Sequence, residues 1–320
     1  LFVNVCGCTW PERPRTIPNI CSLHKPTLGS PHAAPHAGDD WDTSCVVSAD
    51  SFWPPGSSAP PPAVSPQLAE VARCPLVAAC LAAASPEPPC AKVVLFQWRA
   101  HDAEQRMRHW LRFHQLPEPW VGRLERARIL FVSSNPSIGG SVPEDPEAAP
   151  DRPHLVTRLR PDEAIVERQS NAFSHYMEDG TREIGAGVTH YWAAIKQRAL
   201  ELLPAVIPGD DYAITEVVRC KSKDEAGVPQ ARDFCSDLYL RRTLELSAAR
   251  VIVGVGAQAR RVLPRFVGVT ETTGLQRGHV SGRDVAVVFL AHPAGFQGPK
   301  MFASALSAEE LAELRALVAP

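Results

Sequence analysis

Four short apolar runs in the second half of the chain predict buried β-strands. The runs are rich in Val, Ile, Leu and Phe and lack a strict alternation with polar residues, which is typical of strands that are covered on both faces. They span residues 128–133, 212–218, 251–255 and 285–291.

Between these runs, apolar residues recur at the three- and four-residue spacing of one helix face. The predicted helices cover residues 68–84, 102–115, 231–246 and 257–265, with another through Trp192, Ile195, Ala199, Leu202 and Leu203. A last helix begins at Ser307, where Glu310 completes a capping box. Because strands that alternate with helices favour right-handed crossovers, we predict the α/β class: a three-layer α/β/α sandwich with a four-stranded parallel sheet.

The first 66 residues differ in composition from the rest of the chain. They hold 12 of the 31 prolines and no sustained apolar period, so they bury too little surface to offset the entropy of ordering. We predict a disordered segment over 1–66 and a folded domain over 67–320. Cys6, Cys8, Cys21 and His24 resemble a zinc-ligand set, but we interpret their spacing in this segment as chance.

Charge and hydropathy narrow the class of protein. The formal net charge of -2 argues against a polycation, although a local basic patch is compatible with it. No apolar run has the length of about 18 residues that spans a bilayer, and the first residues lack a basic leader. We therefore expect a monomeric cytoplasmic protein without membrane contact, whose nine cysteines are metal ligands, thiols or core residues rather than disulfides.

Two of the predicted strands end at a polar residue that proline follows. Asn135 lies in Ser133-Ser134-Asn135-Pro136-Ser137, and His292 precedes Pro293. Ligands of open α/β sheets bind at the carboxyl ends of the strands. There, an amide can orient a water molecule and a neutral imidazole can stabilise a growing negative charge. The alternatives are an Asx turn for Asn135 and a purely structural histidine.

Two further patterns carry weaker signals. Cys220 follows the second strand, and Cys235 lies at the start of the next predicted helix. Together with Cys80 and Cys90, or with Cys74 as a substitute, they could hold an iron-sulfur cluster. The alternative is that Cys235 is a small core residue and that Cys220 is a free thiol. Gly254-Val255-Gly256-Ala257-Gln258-Ala259 matches a dinucleotide fingerprint, but the next strand lacks the acidic residue that holds the ribose, so we interpret the glycines as packing residues.

Taken in order, these segments resemble the uracil-DNA glycosylase superfamily over roughly residues 125–300. Ser133-Ser134-Asn135-Pro136-Ser137 stands where that superfamily has a Gly-x-Asn-Pro-Gly-like motif, and His292-Pro293-Ala294 stands where it has His-Pro-Ser. The segment 212–220, which ends in Val-Val-Arg-Cys, is similar to the iron-sulfur branch. The motifs are divergent, since Ser133 and Ser137 replace glycines.

The resemblance implies a monofunctional DNA glycosylase that acts on a damaged, deaminated or modified base flipped from DNA. Asn135 would orient water, and His292 would stabilise the leaving base. The implied base pocket comprises Ser133, Ser134, Pro136, Ser137, Glu216, Phe173 and Tyr191. The implied DNA contacts are Pro293, Ala294, Gly295 and Lys300, within a loop over 294–301. The implied cluster is a structural 4Fe-4S group on Cys80, Cys90, Cys220 and Cys235.

Position 216 separates this chain from uracil-specific relatives, in which an asparagine reads the base edge. An ionised Glu216 could only accept hydrogen bonds, which predicts a base other than uracil as the substrate. The substitutions at 133, 137 and 216 also allow a second interpretation, a nucleic-acid or nucleotide binding module that keeps the fold without catalysis.

Overall fold

The computed structural model describes residues 65–72, 74, 76, 89–90, 92–93, 117–136, 189–222 and 224–319. All of them belong to one of the two compact units of the chain, Phe52–Pro320. Nearly all of the predicted disordered segment 1–66 and the whole predicted helix 102–115 lie outside the described residues.

A six-stranded mixed sheet organises this unit. Its strands are β1 (Trp120–Val121), β2 (Ile129–Ser133), β3 (Tyr212–Glu216), β4 (Val251–Val255), β5 (Gln276–Val280) and β6 (Arg283–Leu290), in the spatial order β1-β3-β2-β4-β6-β5. The four central strands run parallel and correspond to the four predicted runs. The prediction of a four-stranded, wholly parallel sheet is wrong, because an antiparallel strand pairs with each edge.

The edge strands differ in pattern from the central ones. β1 has two residues, too few to give a period. In β5, exposed residues alternate with buried ones from Arg277 to Val280, which is the pattern of a half-exposed strand. β5 turns into β6 through Ser281 and Gly282, which both have positive φ, as a tight two-residue hairpin turn requires.

Helices cover both faces of the sheet. Successive strand residues point to opposite sides, so in β2 Leu130 and Val132 belong to one apolar core, and Ile129 and Phe131 belong to another. Leu68 and Val228, from helices early and late in the chain, line the first core. The helices in chain order are α1 (Pro66–Ala72), α2 (His190–Leu202), α3 (Val228–Cys235), α4 (Arg241–Leu246), α5 (Gly256–Val262), α6 (Pro264–Val267), α7 (Phe302–Ala305) and α8 (Ala308–Val318).

Helix boundaries depart from prediction where the local geometry changes. α1 covers Pro66–Ala72, and residues 77–84 of the predicted helix 68–84 lie outside the described residues. A π-helical turn, Ser236–Leu240, joins α3 to α4 within the predicted 231–246. The capping box at Ser307 is confirmed, since Ser307 accepts from the Glu310 amide and Glu310 accepts from that of Ser307. None of the helices within the described residues has the length and apolar character to cross a membrane.

The register of the parallel strands brings their carboxyl ends to one edge of the sheet. Ser133 pairs with Glu216 at the ends of β2 and β3, and Val255 pairs with Leu290 at the ends of β4 and β6. The residues that follow β2 and β6 therefore emerge along this edge, where the sequence predicts the site.

Candidate functional site

A chain of three side chains links the ends of β2 and β6. The Ser133 and Tyr191 hydroxyls form a hydrogen bond, and the Tyr191 ring stacks on His292 with centroids 5.5 Å apart and 18° between the planes. Burial, reinforced by Glu216, raises the pKa of Tyr191, so its hydroxyl keeps its proton at neutral pH. Tyr191 thus forms one wall of the site and connects two predicted site residues.

His292 is a neutral imidazole in this setting. The Ala294 amide donates to its Nδ1 at 3.2 Å, which leaves the ring proton on Nε2. Burial lowers the pKa of His292 below its usual value. Glu225 opposes this shift, and the positive charges of Arg198 and Lys300 add to it. The ring can therefore offer Nε2–H as a donor.

The two glycines after β4 are explained by packing. A Cβ on Gly254 would lie 2.6 Å from the Phe289 ring, and a Cβ on Gly256 would lie 3.3 Å from the His292 Cβ. Gly256 also has a φ of +85°, which disfavours any side chain. The glycines admit the Phe289 and His292 side chains, in agreement with the packing interpretation of this motif.

Asn135 is held by its surroundings. Its Nδ2 donates to the Pro136 carbonyl at 2.8 Å and to the Ser222 carbonyl at 3.3 Å. Its Oδ1 accepts from the Ser134 hydroxyl at 3.2 Å. A carbonyl oxygen has two lone pairs, so Oδ1 can accept one more hydrogen bond, from water. The contacts fix the side chain as the structural interpretation requires and leave that acceptor available.

Glu216 ends β3 opposite Ser133, and its carboxyl group is largely shielded from solvent. Its Oε2 is buried and has no hydrogen-bond partner in the described chain. Burial is the main reason that its pKa lies well above the usual value, and the Glu118 carboxylate raises it further against the opposing charge of Lys221. Lys221 forms an ion pair with Glu118 at 2.6 Å. The raised pKa of Glu216 makes ionisation of its carboxyl harder than the sequence-based expectation of an ionised acceptor assumes.

The loop after β6 is tied back at several points. The Ala291 amide donates to the Pro299 carbonyl at 2.7 Å, and the Lys300 ammonium donates to the Pro293 carbonyl at 2.8 Å. Gly295 donates to the His292 carbonyl at 2.8 Å. At the tip, Phe296 is fully exposed. The loop therefore presents an aromatic ring to solvent four residues after His292.

Arg198 anchors this loop from beneath. Its Nε donates to the Lys300 carbonyl at 2.7 Å and its Nη2 to the Ala291 carbonyl at 2.8 Å. The side chain is fully buried on the inner face of α2, and burial lowers its pKa. One guanidinium thus joins the two ends of the loop.

Three of the four described cysteines lie around Arg219. Cys235, Cys74 and Cys220 all act on Arg219, whose pKa is lowered to about 10, chiefly by burial. Arg219 donates to the Thr243 hydroxyl at 3.0 Å and lies over the Tyr239 ring.

Burial is also the main cause that raises the pKa of Cys235 to about 11, so the thiol keeps its proton. In the part of the chain that the structure describes, no three His, Cys, Asp or Glu side chains are arranged to hold a metal ion. The cluster stays a prediction, because one of its four predicted ligands is not among the described residues. Cys90 is buried, and Cys80 lies outside the described residues.

The site combines predicted and unpredicted residues. Along the strand ends the structure brings together Ser133, Ser134, Asn135, Pro136, Glu216, Tyr191, His292, Pro293, Ala294, Gly295 and Lys300, whereas Ser137 and Phe173 lie outside the described residues. Sequence reasoning missed Glu118, Lys221, Arg198 and Phe296. Arg198 had a signal, because it stands among apolar residues on the inner face of a predicted helix.

Comparison with known proteins adds no assignment. No protein-family model matches the chain, and no curated protein matches it.

Proposed function

We propose that the protein is a monofunctional DNA glycosylase, which hydrolyses the N-glycosidic bond of a damaged, deaminated or modified base flipped out of DNA. The observation that carries the proposal is the link from His292, through the stacked Tyr191 ring, to Ser133 at the end of β2, two residues before Asn135. Flipping costs a few kcal/mol of stacking and pairing, which contacts with the base and its flanking DNA must offset.

His292 acts on the leaving base. As the bond from C1′ to the base nitrogen breaks, its electron pair leaves with the base, where negative charge grows. The Nε2–H of a neutral imidazole donates to that charge, in the manner of an oxyanion hole. Because Ala294 occupies Nδ1, this hydrogen bond needs no change of tautomer.

Asn135 acts on water. Its Oδ1 accepts from one water hydrogen and orients the water oxygen towards C1′, which becomes cation-like as the base departs. The water oxygen forms the new bond to C1′, and the proton that water loses neutralises the base anion. Both amide protons of Asn135 are held by backbone carbonyls, which keeps Oδ1 in one orientation. No step uses the cysteines, and the cluster on Cys80, Cys90, Cys220 and Cys235 stays a prediction.

The loop after His292 would meet the DNA. Proteins that distort a duplex insert apolar wedges between base steps, and Phe296 offers such a group at the tip of the loop. Arg198 holds both ends of the loop, so the wedge and His292 would move as one body.

An oligonucleotide panel tests this proposal. The substrates carry uracil, hypoxanthine, xanthine, or hydroxymethylated or glycosylated cytosine, and abasic-site formation is measured. For a base that is excised, we expect His292→Ala to slow excision about 10²–10³-fold and Asn135→Ala to slow it strongly. His279→Ala is the matched control, since His279 lies on the exposed β5 hairpin. No abasic product from any substrate at high enzyme concentration would overturn the proposal.

The alternative, a binding module without catalysis, draws on the held amide of Asn135, because a side chain with three local hydrogen bonds is what a structural role requires. In that case DNA binding would be tight, no abasic product would form, and His292→Ala would leave the affinity unchanged. Anisotropy of a labelled duplex, run beside the panel, separates the two functions.

A further inference from the structure

A chain of polar side chains links the loop after β3 to the helix after β4, and the proposed mechanism does not use it. The Gln258 Nε2 on α5 donates to the Glu225 Oε2, in the loop before α3, at 2.9 Å. The Gln258 Oε1 accepts from the Arg232 Nη1 on α3 at 3.2 Å. Arg232 is buried, and its Nε and Nη2 donate to the Asp233 carboxylate at 3.0 and 3.2 Å. Because the two ends of an amide differ, Arg232 at the oxygen directs the amide nitrogen of Gln258 to Glu225.

The loop that carries Glu225 also holds Asn135. The Ser222 amide donates to the Pro136 carbonyl at 3.1 Å, and the Ser222 carbonyl accepts from the Asn135 Nδ2 at 3.3 Å. The Ser222 hydroxyl donates to the Ala226 carbonyl at 2.5 Å, which ties the residue after Glu225 to this contact. A movement of Glu225 would therefore disturb the partner of Asn135.

The helix that carries Gln258 packs on His292. α5 begins at Gly256, two residues before Gln258, and a Cβ on Gly256 would lie 3.3 Å from the His292 Cβ. The Glu225 carboxylate is also an electrostatic neighbour of the His292 ring. The hydrogen bond between Gln258 and Glu225 therefore joins the segment next to His292 to the segment next to Asn135.

The backbone at this junction has a conformation that side chains disfavour. Asp224 and Glu225 have φ values of 54° and 55°, in the left-handed region that favours glycine. Strained residues of this kind persist only where their surroundings impose the conformation, and they cluster at functional sites. Here the surroundings are the hydrogen bond from Gln258 and the turn closed by Ser222.

We propose that Glu225 is a positioning residue for excision, which through Gln258 couples the loop that holds Asn135 to the helix that packs on His292. The inference rests on the proposed function for the roles of those two side chains. Glu225 exchanges no proton in this role. It fixes the separation between the water that Asn135 orients and the donor that His292 offers. A misplacement of about 1 Å between reacting groups can cost about 10²-fold in rate.

Steady-state excision by the full chain, on a base identified in the oligonucleotide panel, tests this coupling. Gln258→Leu and Glu225→Ala remove the same hydrogen bond, so we expect each to lower kcat about 10–100-fold with KM within about twofold. For the same reason the double variant should lose no more than either single one. Glu225→Gln keeps an acceptor for Gln258 and should retain kcat within about threefold. The controls are Glu245→Gln on α4 and Gln276→Leu on β5, which carry hydrogen bonds of their own outside the site.

An NMR titration of the His292 ring provides a readout that needs no catalysis. The carboxylate of Glu225 favours the protonated ring, whereas Arg198 and Lys300 disfavour it. We expect Glu225→Gln to lower the pKa of His292, because it removes that charge and leaves both cations in place. Glu245→Gln should leave the pKa of His292 unchanged. Circular dichroism verifies that each variant is folded.

Hydrogen exchange at the Ser222 amide reports on the loop itself. This amide is protected by its bond to the Pro136 carbonyl. We expect exchange to quicken in Gln258→Leu, to stay slow in Glu225→Gln, and to stay slow in the control Gln276→Leu. A carboxylate that merely stabilises the fold would show no such rescue by glutamine.

The outcomes separate the inference from the proposed function. An unchanged His292 titration in Glu225→Gln, unchanged Ser222 exchange in Gln258→Leu, or a kcat in Glu225→Gln as low as in Glu225→Ala would overturn the inference. The expected titration and exchange without cleavage of any oligonucleotide would support the coupling of the two segments and refute the proposed function. Cleavage that none of these variants slows would refute the inference and support the function.

Discussion

Replacing Arg198 tests whether one buried guanidinium holds the loop that carries His292. Arg198→Met keeps the length and apolar stem of the side chain but removes both donors to the Lys300 and Ala291 carbonyls. A hydrogen bond from a charged group contributes about 1.5–3 kcal/mol, so two are worth about 3–6 kcal/mol. The Nη1 of Arg198 is buried without a partner, and relief of that penalty of about 1–3 kcal/mol offsets part of the loss. We expect a net destabilisation of about 2–4 kcal/mol.

Urea denaturation, followed by circular dichroism, measures this change in the free energy of unfolding. Arg315→Met is the matched control, because the Nε of Arg315 also donates to a backbone carbonyl, that of Glu201, at 2.8 Å, but at an exposed position. We expect the control to change stability by less than about 0.5 kcal/mol. Under conditions where Arg198→Met is folded, excision should fall further than the folded fraction does, since the loop ends are released.

Two results would refute this reasoning. A destabilisation by Arg198→Met no larger than that of Arg315→Met would mean that water replaces the lost donors at both carbonyls. A large destabilisation with full excision per folded molecule would mean that the guanidinium stabilises the fold without positioning the loop.

Three further predictions address the site. Phe296→Ala should change the free energy of unfolding by less than about 0.5 kcal/mol, because the ring is fully exposed. The same variant should bind duplex DNA more weakly in anisotropy, and an unchanged affinity would argue against a wedge. Glu216→Gln should become more stable than the wild type as pH rises. Because the pKa of Glu216 is raised in the folded state, the free energy of unfolding of the wild type falls by about 1.4 kcal/mol per pH unit between the unfolded pKa of 4.5 and the folded one. Parallel pH profiles of the two proteins in urea melts would contradict the raised pKa. Gly256→Ala should slow excision more than Gly282→Ala does, because both have positive φ but only a Cβ at Gly256 meets His292; equal effects would exclude pressure on His292.

The central sheet could be predicted because its strands are buried on both faces. A strand such as Val251–Val255, wholly buried, must be apolar throughout, and that composition is visible in one stretch of sequence. The ends of β2 and β6 could be predicted as well, since each of these two runs stops before a polar residue that proline follows. The predicted position of Asn135 and His292 at one edge of the sheet agrees with the register of the strands.

The edges of the sheet could not be predicted in the same way. Two residues of β1 pair with β3 across a large separation in sequence, and no local pattern specifies such a pairing. β5 was open to prediction, because Ser281-Gly282 between two strand-like segments is a hairpin signal. The signal was weak because His279 and Arg277 interrupt the apolar pattern of the strand.

The charge of Glu216 lies beyond local sequence reasoning for a related reason. Whether a carboxyl ionises depends on its burial and on neighbours that the fold supplies, here Glu118 and Lys221. A sequence shows the residue type, from which an ionised acceptor is the natural expectation, whereas burial and the neighbouring carboxylates raise the pKa of Glu216. At neutral pH an ionisable group that is buried and uncharged lowers the stability of the fold relative to a neutral isostere. Because such groups cluster at functional sites, the Glu216 oxygen that has no partner among the described residues makes the end of β3 a candidate place for ligand contact, and its raised pKa is the measurable sign of that position.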